Sequence, residues 1–130
     1  MSWKTAQAAA QTLHGARVLV VEDEPLIALE LQAALAERGA QVVGPFCDAA
    51  AGLAHAASDD LAAALLDVRL GETSVGPLAR ALSDRGVPFA FYTGQTEYDL
   101  VCREWPAAPV PQKPSPTRQL LAAIERLCAG

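Results

Sequence analysis

Basic residues are scarce in this chain: ten Lys and Arg stand against fifteen Asp and Glu, a formal net charge of −5. With no basic stripe to neutralise phosphates, the charge argues against nucleic acid as a direct partner. Cysteine is scarcer still. Cys47, Cys102 and Cys128 are odd in number, widely spaced and form no C-x-x-C. That argues against a disulfide framework or a zinc site and for reduced cytosolic thiols. No apolar run approaches the roughly 20 residues that cross a bilayer, which argues against a membrane. The stretch from Met1 to Gly15 carries one Lys and no hydrophobic core, so it does not read as a secretory signal. A cytoplasmic location is the resulting expectation. Aromatics make up only 5% of the chain, whereas 52% is hydrophobic and mostly Ala, Leu and Val. Over 130 residues this is the profile of one α/β domain with a real core.

What the chain does have is a distinctive placement of acids. The run Arg17-Val18-Leu19-Val20-Val21 reads as a buried strand and ends in Glu22-Asp23-Glu24. In an open parallel sheet, ligands bind at the carboxyl ends of the strands. Carboxylates gathered there repel one another unless a hard, oxygen-seeking cation such as Mg²⁺ joins them. A second apolar run, Ala62 to Leu66, delivers Asp67 at its own end, and later runs deliver Thr93 and Lys113 likewise. Any of these residues alone is more often a solvated strand end, a turn residue or a surface charge. Their order along the chain makes them a site for moving a phosphoryl group. Glu24 reads as a favourable charge at a helix N-terminus.

Short apolar runs alternating with amphipathic stretches predict βαβ units. Pro25 suits a first helical turn. Leu26, Leu29, Ala33 and their neighbours give helical spacing, and Gly39 supplies the stop. Strand two is expected at Gln41 to Val43, closed by Gly44-Pro45. Helix two runs from an N-cap at Asp48 to Ala57, strand three from Leu61 to Leu66, helix three from Val75 to Asp84, and strand four from Pro88 to Tyr92. A stunted helix, Glu97 to Glu104, precedes a fifth strand at Val110 to Gln112, which Pro111 confines to the sheet edge. A last helix opens at Ser115-Pro116 and ends near Cys128. The fold class is a doubly wound five-stranded parallel sheet in the order 2-1-3-4-5, flavodoxin-like, with helices on both faces. Residues 1–15 form an N-terminal arm or short helix, and residues 16–130 form the domain.

These residues resemble the receiver domain of two-component response regulators over essentially all of Arg17 to Leu127. Val20-Val21-Glu22-Asp23-Glu24 is similar to that family's acid-pair strand end and Leu65-Leu66-Asp67-Val68 to its phosphoacceptor strand. Tyr92-Thr93-Gly94 resembles the hydroxyl position and Lys113-Pro114 the lysine with its proline. The resemblance implies that Glu22, Asp23, Asp67 and the backbone carbonyl of Arg69 hold Mg²⁺, with Mn²⁺ able to substitute. It implies that Asp67 is the phosphoacceptor, that Thr93 contacts a phosphoryl oxygen and that Lys113 pairs with the phosphate. Asp67 to Glu72, with Gly86 to Gly94, is similar to a stand-alone subgroup whose fourth strand ends in Phe-Ala-Thr-Gly. In this chain Tyr92 replaces the Ala. Val110 stands where many receivers carry a switch aromatic, and Ser115 follows Lys113-Pro114. Gln95 and Val110 are the modulating positions, Gln95 orienting or excluding the water that hydrolyses the acyl phosphate.

The function so implied is a single-domain response regulator phosphorylated by a sensor histidine kinase or a histidine phosphotransfer protein. It signals by binding a downstream protein and is not an enzyme in the ordinary sense. Homodimerisation is left open. The alternative is an interaction module that works without phosphorylation. A phosphohydrolase using an aspartyl-phosphate intermediate is a third reading, but such enzymes carry a second Asp two residues after the nucleophile, where this chain has Arg69. His14 and His55 lack partners at ligand spacing, and neither reads as a relay histidine. Tyr98, Trp105 and Val110 are read equally as local core and as an interaction surface.

Overall fold

A computed structural model describes residues 12–57, 60–68, 75–92, 100–111, 113 and 115–129. Among these, four strands alternate with five helices in the order β1 (Arg17–Val21), α1 (Pro25–Glu37), β2 (Gln41–Phe46), α2 (Ala49–Ala56), β3 (Ala63–Asp67), α3 (Gly76–Asp84), β4 (Phe89–Tyr92), α4 (Leu100–Glu104) and α5 (Thr117–Ala129). The strands are all parallel and lie in the order β2-β1-β3-β4. This is the doubly wound α/β sheet the sequence predicts.

The strand residues explain the two-sided architecture. In β1, Val18, Leu19, Val20 and Val21 are all buried, so the strand is covered on both faces and reads as an uninterrupted apolar run. Leu19 and Val21 pack with Ala64, Leu66, Phe89 and Phe91 under α2 and α3. Val18 and Val20 pack with Leu65, Ala90 and Tyr92 under α1 and α5. Because β2 and β3 leave β1 on opposite sides, a crevice opens at the carboxyl ends of β1 and β3.

Several expected boundaries move. The stripe of Leu26, Leu29 and Ala33 does give α1 its period, but it faces outward. Leu26 is 79% and Leu29 61% exposed, whereas Ala28, Leu31 and Leu35 are buried. An Ala- and Leu-rich helix carries apolar residues on more than one side, so periodicity alone does not choose the inner one. Strand β2 does not close at Val43; it runs on through Gly44 and Pro45 to Phe46, with a register irregularity between its pairings to Leu19 and Val21. Gly44 makes this feasible at φ +107°, where a Cβ would come within 2.8 Å of the Val20 carbonyl oxygen. The Gly44–Pro45 peptide is cis. The edge position of β2 tolerates a residue without an N–H.

The fifth strand is not formed at the described residues 109–111, and Gln112 lies outside them. The segment nevertheless runs beside β4, because the Phe91 N–H donates to the Pro109 carbonyl at 2.9 Å. Pro109 and Pro111 have no N–H to return. Helix α5 begins one residue later than expected, at Thr117: the Gln119 N–H, which an N-cap at Ser115 would draw to its own carbonyl, donates to that of Pro116 at 2.9 Å. Asp48 caps α2 as expected, accepting from the Ala51 N–H at 2.8 Å. Residues 1–11 lie outside the described residues, and 12–15 form a turn. Leu13 is buried there, and its N–H donates to the Arg38 carbonyl at 2.8 Å.

Candidate functional site

The end of β1 and the end of β3 converge at the crevice. Glu22 follows β1 directly, and its N–H donates to the Phe46 carbonyl, which fixes the backbone against β2. Asp67 is the last residue of β3 and pairs in register with Tyr92. Both carboxylates are nearly inaccessible, Glu22 at 3% and Asp67 at 1%, and they are the buried charged residues among those described. Asp23, exposed, completes a set in which one oxygen from each of the three residues lies within 4.8 Å of the others.

Lys113 enters this cluster from the segment preceding α5. Its ammonium donates to Asp67 Oδ2 at 3.2 Å, Glu22 Oε1 at 3.1 Å and Glu24 Oε1 at 3.0 Å. Burial by itself pulls the lysine toward its neutral form. The hydrogen bond to Glu24, the charge of Asp67, and the hydrogen bond and charge of Glu22 outweigh it and hold the ammonium well above the ordinary lysine range. Lys113 is therefore a fixed positive charge at any physiological pH.

One lysine does not balance the acids. Glu22, Asp23 and Asp67 bring three negative charges and Lys113 returns one. Two carboxylates about 5 Å apart repel by roughly 3 kcal/mol at an effective dielectric of about 20. Glu22 Oε1 is occupied by Lys113 and by the Glu24 N–H, but the buried Glu22 Oε2 has no partner among the described residues. An orphaned buried carboxylate oxygen beside two further acids fits a divalent cation held through oxygen. Glu22, Asp23 and Asp67 are the side chains that would hold it.

The structure thus brings together Glu22, Asp23, Asp67 and Lys113. Arg69, Thr93 and Gln95 lie outside the described residues. Val110 is partly buried and packs against the α2/α3 core, as does Trp105, whose ring meets Phe89 edge-on at 5.8 Å; Tyr98 lies outside the described residues. His14 is exposed, and His55 stacks on Phe46 at 4.5 Å; the cluster of possible metal ligands among the described residues contains neither. Glu24 is not merely a charge beside α1. It makes no side-chain cap and instead grips Lys113, a contact across 89 residues that local sequence does not signal. Tyr92 was also missed: its ring lies under the Lys113 ammonium, 5.2 Å from the centroid. Its position directly before Thr93 was the available signal.

No protein-family model matches the sequence, and no curated protein matches it either. Solved structures do. SdrG from Pseudomonas melonis Fr1, solved in solution in its BeF3-activated conformation, is 35% identical with a TM-score of 0.68, covering 85% of this chain and 98% of its own. A CheY-like response regulator receiver domain protein from Methanospirillum hungatei JF-1 is 25% identical with a TM-score of 0.73, over 86% of this chain and 93% of that one. The receiver domain of the TMAO respiratory system response regulator TorR is 26% identical with a TM-score of 0.75, over 86% and 95%. With its parallel sheet, its buried acids at the crevice and these relatives, the chain belongs to the response regulator receiver (CheY-like) family.

Proposed function

We propose that this protein is a response regulator in which Asp67 accepts a phosphoryl group from the phosphohistidine of a sensor histidine kinase or phosphotransfer protein, and that the phosphorylated form signals by binding another protein. The observation that carries this reading is the pairing of a buried, acceptor-ready Asp67 with a lysine charge 3.2 Å away and an unpartnered Glu22 oxygen beside it. Receiver domains are signalling proteins rather than conventional enzymes, and the activated conformation of the relative SdrG was obtained with BeF3.

The step itself forms one P–O bond and breaks one P–N bond. An Asp67 carboxylate oxygen attacks phosphorus, and the imidazole nitrogen of the donor leaves with the bonding pair and takes a proton. A loose transition state spreads charge over three phosphoryl oxygens, so catalysis consists of positioning and neutralisation. Lys113, already charged and directed at Asp67, supplies one fixed positive charge to the incoming oxygens. Glu22, Asp23, Asp67 and the Arg69 carbonyl would hold Mg²⁺, whose charge would ease the approach of an anionic donor to the anionic Asp67. Thr93 would donate its hydroxyl to a phosphoryl oxygen, and Gln95 would set the lifetime of the acyl phosphate. Leu26 and Leu29, exposed on the first turns of α1, offer apolar ground for a partner protein. Among the described residues no helix is long and apolar enough to cross a membrane.

The test is intact mass after incubation with a small acyl-phosphate donor. A gain of one phosphoryl mass that requires both Mg²⁺ and Asp67, and is lost in Asp67→Asn, is the expected result. No gain under any Mg²⁺ concentration removes the phosphoacceptor reading and leaves an interaction module.

A further inference from the structure

Tyr92 ends β4 opposite Asp67 in the ladder, yet the phosphoacceptor chemistry gives it no task. It is 3% exposed and belongs to the core beneath α1 and α5. Its two ends touch residues on either side of position 114. The ring faces the Lys113 ammonium, with Nζ 5.2 Å from the centroid. The hydroxyl accepts from the Ser115 N–H at 3.4 Å, just before α5 begins. A small cavity of about 140 Å³ borders the same group, lined by Tyr92, Lys113 and Ser115 together with Ile27 and Leu31 of α1 and Leu120 of α5.

A lysine side chain has four rotatable bonds and reaches one geometry only when something fixes its stem and head. The carboxylates of Glu22, Glu24 and Asp67 pull the ammonium from one side. The Tyr92 face attracts the same charge through its quadrupole and leaves the N–H groups free for oxygen. We infer that Tyr92 is a positioning residue: its ring seats the Lys113 ammonium facing Asp67, and its hydroxyl ties the position of that lysine to the start of α5. This rests on the proposed phosphoryl transfer and deepens it, because a lysine drawn toward a phosphoryl group on Asp67 shifts against a ring that also holds Ser115. The adjoining cavity gives the ring and the α5 entry room to adjust. The site then reports its state to the α1/α5 face through one side chain.

Two variants separate ring from hydroxyl. Tyr92→Leu removes both, and Tyr92→Phe keeps the ring. The methylene protons next to the Lys113 ammonium, read by NMR, carry the ring-current shift of a face-on aromatic in the wild type and in Tyr92→Phe. They return to the ordinary lysine position in Tyr92→Leu. The initial rate of Asp67 phosphorylation by an acyl-phosphate donor falls about tenfold in Tyr92→Leu, within the range a desolvated cation–π contact spans, and Tyr92→Phe rescues it. In a Lys113→Met background the Leu substitution has no further effect, whereas a purely structural role slows both backgrounds alike. Hydrogen exchange at the Ser115 amide quickens in Tyr92→Phe. Lys113 resonances unmoved by Tyr92→Leu, equal slowing in both backgrounds, or a Ser115 amide indifferent to the hydroxyl overturns the inference. A wild type that takes up no phosphoryl group overturns the proposed function instead, and the Lys113 resonances still decide the role of Tyr92.

Discussion

The two ends of the sheet solve opposite problems. At the amino end of β4, Val87, Pro88 and Phe89 line a groove of about 410 Å³ with Trp105 to Ala108. There Trp105 meets Phe89 and Phe91, and Arg80 lies 5.6 Å from the Trp105 ring while pairing with Glu104. The described contacts around that groove are mostly apolar and aromatic, with the exposed Arg80–Glu104 pair at its rim. At the carboxyl end, Glu22 and Asp67 are buried together beside the Lys113 ammonium, and Glu22 Oε2 has no partner among the described residues. One end contributes stability. The other accumulates electrostatic tension that a cation and a phosphoryl group would relieve, and the difference locates the function.

The comparison can be broken at either end. The largest effect expected is that of Asp67→Asn. It abolishes phosphoryl uptake and, in Mg²⁺-free buffer, raises stability by about 1 kcal/mol, because a buried like charge is gone. Denaturant unfolding beside intact mass checks both halves, and a destabilised variant would mean that the cluster is not strained. Phe89→Ala attacks the quiet end. It should cost about 3 kcal/mol by leaving a cavity under Trp105, yet the folded protein should be phosphorylated at the wild-type rate. Mg²⁺ sharpens the contrast from the other side. At about 100 times its Kd it should stabilise the wild type by about 2.7 kcal/mol, and Glu22→Gln should lose most of that shift in a thermal melt.

The smallest effect lies in the thiols. Cys47 is exposed, Cys102 buried and Cys128 half-buried. Burial, with Glu125 adding charge, pushes the Cys128 thiol up from its ordinary value. Since the thiolate is the reacting form, alkylation near neutral pH should label Cys47 first. Cys128 should follow only as the solution becomes alkaline, and Cys102 only on unfolding. Mass mapping over a pH series reads the order, and early labelling of Cys128 would refute it.

Much of this is legible in the sequence. The run Val18 to Val21, buried on both faces, announces a central parallel strand, and the acids that follow it land where such sheets bind ligands. Asp67 was legible for the same reason. What was not legible depends on tertiary choice. Two apolar stripes on α1 compete for the core, and the smaller-looking one containing Ala28, Leu31 and Leu35 wins. Gly44-Pro45 reads as a stop, but a positive φ and an edge position let β2 pass through it. The grip of Glu24 and the ring of Tyr92 on Lys113 join residues far apart in the chain, so no local pattern encodes them.

The central claim is that Asp67 alone receives the phosphoryl group. Treating the phosphorylated protein with borohydride reduces an acyl phosphate to the corresponding alcohol, which peptide mass spectrometry can place. The reduced residue is expected at position 67 and only when Mg²⁺ was present. A reduced residue at Asp23 or Glu24, or none in a protein that gained phosphoryl mass, would contradict it.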